Sequence, residues 1–315
     1  MILTVTLNAA LDITHRVDRL RPHAAHRVCE VADRAGGKGI NVSRVLRAFG
    51  HPTLVTGLVG GGTGASVRRD LARAGLAQHL VPVAGETRRT VAVVDARTGD
   101  TTTLLEPGPE VLHEEWERFR ESFDALLLRA GVVVLSGSLP PGLPEDTYAV
   151  LVRDARARGV PALVDTSGPA LLAALPAAPA LVKPNADELV EATGRSDPRV
   201  AAEALRTAGA EAVVASLGPE GLLAVTPQGA WRARPAERLR GNPTGAGDAA
   251  VAALAAGLLA GDTWPVRLAE AVALSAAAVA APLAGSFDPV VHQRLRTRVD
   301  VVPLPRETGE TPCPS

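Results

Sequence analysis

Gly241-Asn242-Pro243-Thr244-Gly245-Ala246-Gly247-Asp248 runs straight into the alanine- and leucine-rich stretch Ala249 to Leu259. The octet reads as a turn and the stretch as a helix, so the N–H groups of Gly245 to Asp248 are expected to point, unpaired, out of a helix start. Such a start attracts anions, and glycine lets a phosphate approach the backbone closely. Asp248 is the odd member of a phosphate cradle, because its charge repels the ligand. It fits a base that takes a proton from an attacking hydroxyl in phosphoryl transfer. The plainer alternative is an N-capping aspartate.

Upstream, strand-like segments end repeatedly in polar residues. The first, Ile2 to Leu7, leads to Asp12; Val132 to Ser136 leads to Ser138; Val160 to Asp165, Leu181-Val182 and Val213 to Ser216 lead to Asp165, Asn185 and Ser216. Between them lie helical runs such as His113 to Leu128 and Glu145 to Ala157. This alternation predicts right-handed βαβ units and a doubly wound, mostly parallel sheet, with these strand ends on one edge facing the Gly245 to Asp248 helix start. A second glycine-rich helix start is Gly36-Gly37-Lys38-Gly39-Ile40-Asn41. The rhythm breaks at Arg89 to Asp95 and Thr101 to Glu106, which read as a hairpin. With residues 13–33 this hairpin forms, on this reading, a small β-sheet lid from about 13–33 and 87–107. The domain is expected to span 1–302 and to be followed by a disordered tail over 303–315.

The bulk numbers exclude several classes. The 315 residues are 46% hydrophobic, ample for a core, with a net charge of −1 and no basic run. Nothing here calls for nucleic acid or a membrane surface, no apolar run suggests a span, and a cytoplasmic protein is expected. Cys29 and Cys313 are too few for a metal cluster and, so far apart in sequence, poor candidates for a disulfide. Only Lys38 and Lys183 are lysines among the 33 basic residues, and each lies in a motif. That placement suits positions needing a compact ammonium.

The motifs resemble a family. Thr4-Val5-Thr6-Leu7-Asn8 to Asp12, Gly36 to Arg44, Gly85-Glu86-Thr87-Arg88, Glu106-Pro107-Gly108-Pro109, Leu135 to Pro140, Lys183-Pro184-Asn185 to Glu188, Ser216-Leu217-Gly218 and Gly245 to Asp248 stand in the order found in ribokinase-like carbohydrate kinases of the phosphofructokinase B type. Within that family the chain is most similar to the 1-phosphofructokinase and tagatose-6-phosphate kinase branch.

The resemblance implies an ATP- and Mg²⁺-dependent kinase of a phosphorylated ketohexose. Fructose 1-phosphate is the first choice of acceptor, with tagatose 6-phosphate or fructose 6-phosphate as alternatives. It implies Asp248 as catalytic base and the N–H groups of Gly245, Ala246 and Gly247 as an anion hole. Asp12, Gly37, Lys38, Asn41, Arg88 and Ser136 are implied on the sugar-phosphate side, with Lys38 and Arg88 on the phosphate already present. Lys183, Asn185, Ser216 and Gly218 are implied at the nucleotide, and Asn185 with Glu188 around the metal through water. A homodimer through the lid is also implied. Ala9 replaces the branch's usual proline, Leu105 its polar residue and Ala249 its serine, and the first two bear on which sugar binds. From another class, a sugar-phosphate-binding regulator on a kinase fold would need no Asp248.

Overall fold

The computed structural model describes residues 1–239 and 241–305. The chain opens with β1 (Ile2–Thr6), enters β2 (Ala10–Val17) and β3 (Val28–Gly36), and turns into α1 (Lys38–Ala48). Next come β4 (Thr53–Val59), α2 (Gly61–Arg73), β5 (Ala77–Pro82), β6 (Arg88–Asp95) and β7 (Thr101–Leu105). The alternating middle contains α3 (His113–Leu127), β8 (Val132–Ser136), α4 (Thr147–Ala157), β9 (Ala162–Asp165), α5 (Gly168–Ala174), β10 (Leu181–Val182), α6 (Ala186–Thr193), α7 (Pro198–Thr207) and β11 (Val213–Ser216). The last part contains β12 (Leu222–Thr226), β13 (Gly229–Arg234), α8 (Ala246–Ala260), α9 (Trp264–Val279), α10 (Pro289–Leu295) and β14 (Asp300–Leu304).

The main sheet has ten strands in the order β14-β13-β12-β11-β10-β9-β8-β1-β4-β5. Every pair from β5 to β11 is parallel, and β12, β13 and β14 add an antiparallel edge. All residues of β1, β8 and β9 are buried, as expected of parallel strands covered on both faces. Side chains alternate between those faces. Val133 and Leu135 join Phe119, Phe123, Tyr148 and Leu171 under α3, α4 and α5. Val132 and Val134 join Val42, Leu46, Leu254 and Leu274 under α1, α8 and α9. Helix α8 is buried from Asp248 to Gly257, so its small side chains let α1 and α9 pack closely around the anion-binding start.

The small sheet expected from the sequence is present, with strand order β3-β2-β6-β7. Its strands run three residues beyond the expected bounds at each inner end, because β2 begins at Ala10 and β3 runs on to Gly36. Several elements differ from the sequence reading. Gly61 to Gly64, read as a loop, form the first turn of α2. Strands β5, β12 and β13 had no expected counterpart. Pro303 and Leu304, assigned from the sequence to a disordered tail, end β14, where Pro303 faces Trp231. Proline is compatible with that position because β14 is an edge strand. The remainder of that stretch, 306–315, lies outside the described residues, as does Cys313, while Cys29 is an exposed free thiol. No helix among the described residues is long and apolar enough to cross a membrane.

Candidate active site at the strand ends

Gly245 is the residue before α8 and has φ +89°, a left-handed conformation that suits glycine. A side chain there would also meet the backbone of Ala284, whose Cα would lie 2.8 Å from the added Cβ. The turn before it is fixed by Thr244 N–H donating to Asn242 Oδ1 at 3.0 Å and by Ala246 N–H donating to Pro243 O at 3.1 Å. This modifies the expected anion hole. Ala246 N–H is spent on closing the turn, as position i+3 of a β-turn commonly is. The N–H groups of Gly245, Gly247 and Asp248 have no hydrogen-bond acceptor among the described residues.

Asp248 is not an N-cap, since Gly245 holds that position and α8 already includes Asp248. Asp248 is 8% exposed, and its carboxylate accepts Asn41 Nδ2 at 2.9 Å. Burial, and then the nearby Asp165 charge, push its pKa up to about 7, against the Asn41 bond, Lys38 and Lys183. A carboxyl poised there can exchange a proton near neutral pH.

Lys38 and Lys183 converge on Asp165. Lys38 Nζ lies 3.5 Å from one carboxylate oxygen and Lys183 Nζ lies 3.4 Å from the other. Ser136, paired with Asp165 across β8 and β9, donates its hydroxyl to Asp165 at 2.9 Å. Burial works against the Asp165 charge, yet Lys183, Lys38 and Ser136 hold its pKa below the usual carboxylate range. Burial likewise opposes the Lys38 charge, and Asp165, Glu188 and Asp248 outweigh it, so its pKa is raised. Lys183 also borders the anion site, because a Cβ on Gly247 would lie 3.6 Å from its Nζ. Ser136 thus touches Asp165, while Lys38 stands among acidic groups near the α8 start.

Asp12 and Arg88 form a separate group on the small sheet. Asp12 is raised by burial, against a Thr90 side-chain hydrogen bond and the charges of Arg88, Arg34 and Arg44. Gly36 makes room for it, since any side chain there would collide with the Asp12 carboxylate. Arg88 donates Nε to Asn8 O at 3.2 Å and Nη1 to Glu106 O at 3.3 Å. Its pKa is lowered by burial, against Asp12 and Glu106. Asn8 ties this group to the main sheet by donating Nδ2 to Pro107 O and to Ser138 Oγ, both at 3.1 Å. Lys38 and Arg88, expected on one phosphate, therefore contact different partners. Arg34, which the sequence reading passed over, accompanies Arg88 beside Asp12. Gly37, at the N-cap of α1, adjoins Lys38.

Asn185 and Glu188 form a reciprocal capping box at the start of α6. Glu188 N–H donates to Asn185 Oδ1 and Asn185 N–H to Glu188 Oε2, both at 2.8 Å. Asn185 also bridges Ser216 at the end of β11, and Gly218 follows that strand end. No group of three or more metal-ligating side chains occurs among the described residues. A cavity of about 670 Å³ lies elsewhere, against α7, β12 and β14, and contains none of these groups.

These features match a family of known chemistry. The model of the pfkB family of carbohydrate kinases matches residues 4–290. The chain belongs to that family. It is 43% identical over 267 residues to a 1-phosphofructokinase of Xanthomonas campestris pv. campestris, covering 82% of this chain and 84% of that protein. Among solved structures it resembles the tetrameric inhibited form of phosphofructokinase-2 from Escherichia coli, with TM-score 0.87 and 29% identity over 94% of this chain and 98% of that one. It also resembles a possible 1-phosphofructokinase from Thermotoga maritima, with TM-score 0.86 and 28% identity over 97% and 100% of the two chains. The ribokinase-like α/β fold of this kinase, a mainly parallel sheet with a separate small one, agrees with those structures.

Proposed function

We propose that this carbohydrate kinase transfers the γ-phosphoryl group of ATP to fructose 1-phosphate, giving fructose 1,6-bisphosphate and ADP. Asp248 carries the reading: a buried carboxyl with a pKa near neutrality, oriented by Asn41, beside unpaired N–H groups. Asp248 accepts the hydroxyl proton as the new O–P bond forms and the bond from the γ-phosphorus to the bridging oxygen breaks. The N–H groups of Gly245, Gly247 and Asp248 receive the charge on the moving phosphoryl oxygens. Lys183, anchored on Asp165 and close to Gly247, neutralises phosphate charge there. Ser216 and Gly218 line the nucleotide side. A sugar-phosphate-binding regulator has no use for a tuned base.

Mg²⁺ fits as a hydrated ion. It keeps several waters and needs only one or two carboxylates beside the phosphates. Glu188 spends one oxygen on its capping bond, which leaves the other to hold such water, with Asn185 next to it. The ion's chemistry is to neutralise charge on the transferring phosphates.

A coupled ADP-release assay over fructose 1-phosphate, fructose 6-phosphate, tagatose 6-phosphate, fructose and ribose tests both claims. Fructose 1-phosphate should give the highest kcat/KM, and EDTA should abolish turnover until Mg²⁺ is restored. Preference for another acceptor reassigns the substrate, and undiminished turnover in EDTA removes the metal.

We also propose that the small sheet pairs with that of a second copy. Val31 and Leu104, which the register places on the same face of it, expose 63% and 60% of their surface, apolar area that association would bury. Light scattering at micromolar concentration should give twice the chain mass for wild type and the single mass for Leu104→Asp. A monomeric wild type rejects the pairing.

A further inference from the structure

Arg34 and Thr90 are the cross-strand partners of Asp12, on β3 and β6 respectively. Directly opposed residues share a sheet face, so the Arg34 guanidinium and the Asp12 carboxylate meet on one side of the lid. Arg34 Nη1 donates to Ala284 O at 2.8 Å, in the segment between α9 and α10. That segment also backs the phosphoryl-transfer machinery. Ala284 abuts Gly245, and a Cβ on Gly285 would lie 3.1 Å from the Cα of Asn41, the residue that orients Asp248. Arg34 therefore ties the base of the lid to the wall behind both the anion hole and the base.

The charges around it are unbalanced. Arg34, Arg44 and Arg88 all act on Asp12. Asp70 also acts on Arg34, ahead of Asp12, but it is paired with Arg44 and accepts Ala35 N–H at 2.8 Å. The Glu106 carboxylate is taken by Arg89. Asp12 is thus the one carboxylate among the described residues that acts on both Arg34 and Arg88. Apart from its bond to Ala284, the Arg34 guanidinium has no hydrogen-bond partner among the described residues. Lys38, by contrast, is committed to Asp165.

We propose that Arg34 is a specificity-determining residue that, together with Arg88, holds the phosphate already carried by the acceptor sugar. Its tether to Ala284 sets the distance from that phosphate to Asp248. This rests on the sugar-phosphate reading above. Two guanidinium forks match the geometry of a phosphate, each able to give paired, charge-assisted hydrogen bonds. One fork from β3 and one from β6 lets the lid register whether the acceptor is phosphorylated. Asp12, between them, remains available to accept hydrogen bonds from sugar hydroxyls.

The test compares Arg34→Gln and Arg34→Lys with wild type, using kcat/KM for fructose 1-phosphate and for fructose, KM for ATP, and calorimetric binding of fructose 1-phosphate without nucleotide. For Arg34→Gln, kcat/KM on the phosphosugar should fall about ten- to a hundred-fold, a loss typical of one charge-assisted contact. Its affinity should fall in parallel, while fructose turnover and the KM for ATP stay within about threefold. Arg34→Lys keeps the charge without the fork and should fall between. Equal losses on fructose and its phosphate, or a rise in the KM for ATP, would overturn the proposal. If Arg34→Gln does not fold, the same ratio in Arg34→Lys decides, and an unchanged ratio overturns the proposal. If wild type shows no preference for any phosphorylated ketohexose, the substrate reading fails separately. Calorimetry with inorganic phosphate then decides, since binding in wild type that Arg34→Gln retains counts against Arg34.

Discussion

Asp248→Asn should lower kcat about 10²-fold or more, because it keeps the shape and removes the proton acceptor. Sugar-phosphate affinity should stay within a few-fold, since Asn41 can still bond the amide oxygen. Two pH signatures accompany the loss. In wild type, kcat/KM should rise with pH through about 7, as the buried Asp248 carboxyl loses its proton and becomes a competent base. Stability responds to pH in the opposite sense. A carboxyl whose pKa is raised on folding stabilises the fold most below its ordinary pKa of 3.8, and that contribution is lost as pH rises through about 7. Thermal melts should accordingly show Asp248→Asn gaining on wild type at pH 8 relative to pH 4. Turnover within a few-fold of wild type would remove Asp248 as the base, and a melting-point difference between mutant and wild type that does not shift in the mutant's favour from pH 4 to pH 8 would count against burial as the cause of its shift.

Gly245→Ala is expected to have the next largest effect. Its left-handed φ and the 2.8 Å approach to Ala284 force either the turn or the 284 segment to move. Either movement turns the N–H groups of Gly247 and Asp248 away from the transferring phosphoryl group. The loss of one such donor costs about 10²- to 10³-fold in kcat. Gly261→Ala is the control. It is equally left-handed, with φ +73°, but stands at the far end of α8 with open space around it. It should lose some stability and little kcat. Equal kcat losses in both variants would mean that helix destabilisation, rather than misplaced donors, explains the result.

Much of the architecture could be read from the chain. Val132 to Ser136 and Val213 to Ser216 were legible because they are apolar runs ending in polar residues, and they are strands with those bounds. Strands β12 and β13 have no counterpart in the sequence reading, although Pro227-Gln228-Gly229 is a clear turn between two β-rich runs. The first turn of α2 was hidden by its glycines, which local propensity reads as loop and the packing of Val67 and Leu71 overrides. For the proposed site, motif order points to Asp248, Lys38, Lys183 and Asp12. Their grouping was not legible. Whether Lys38 joins Arg88 or Asp165 depends on how the lid is set against the main sheet, and that distance is long-range. Arg34 lacked a signal for the same reason: its importance comes from the register of β3 against β2, which no local pattern encodes.

The pairing of both lysines on Asp165 leaves the rest of the described surface without an ε-amine. Arginine supplies the other 31 of the 33 lysine and arginine side chains. A lysine-acylating reagent therefore finds, among the described residues, Lys38, whose side chain is 42% exposed while that of Lys183 is 5% exposed. For most enzymes such chemistry decorates the exterior and leaves the working cleft alone. On the proposed reading of the site this chemistry is directed at the cleft of the kinase, so coupling to an amine-reactive support through lysine should inactivate it, whereas Cys29 offers an exposed thiol on the small sheet.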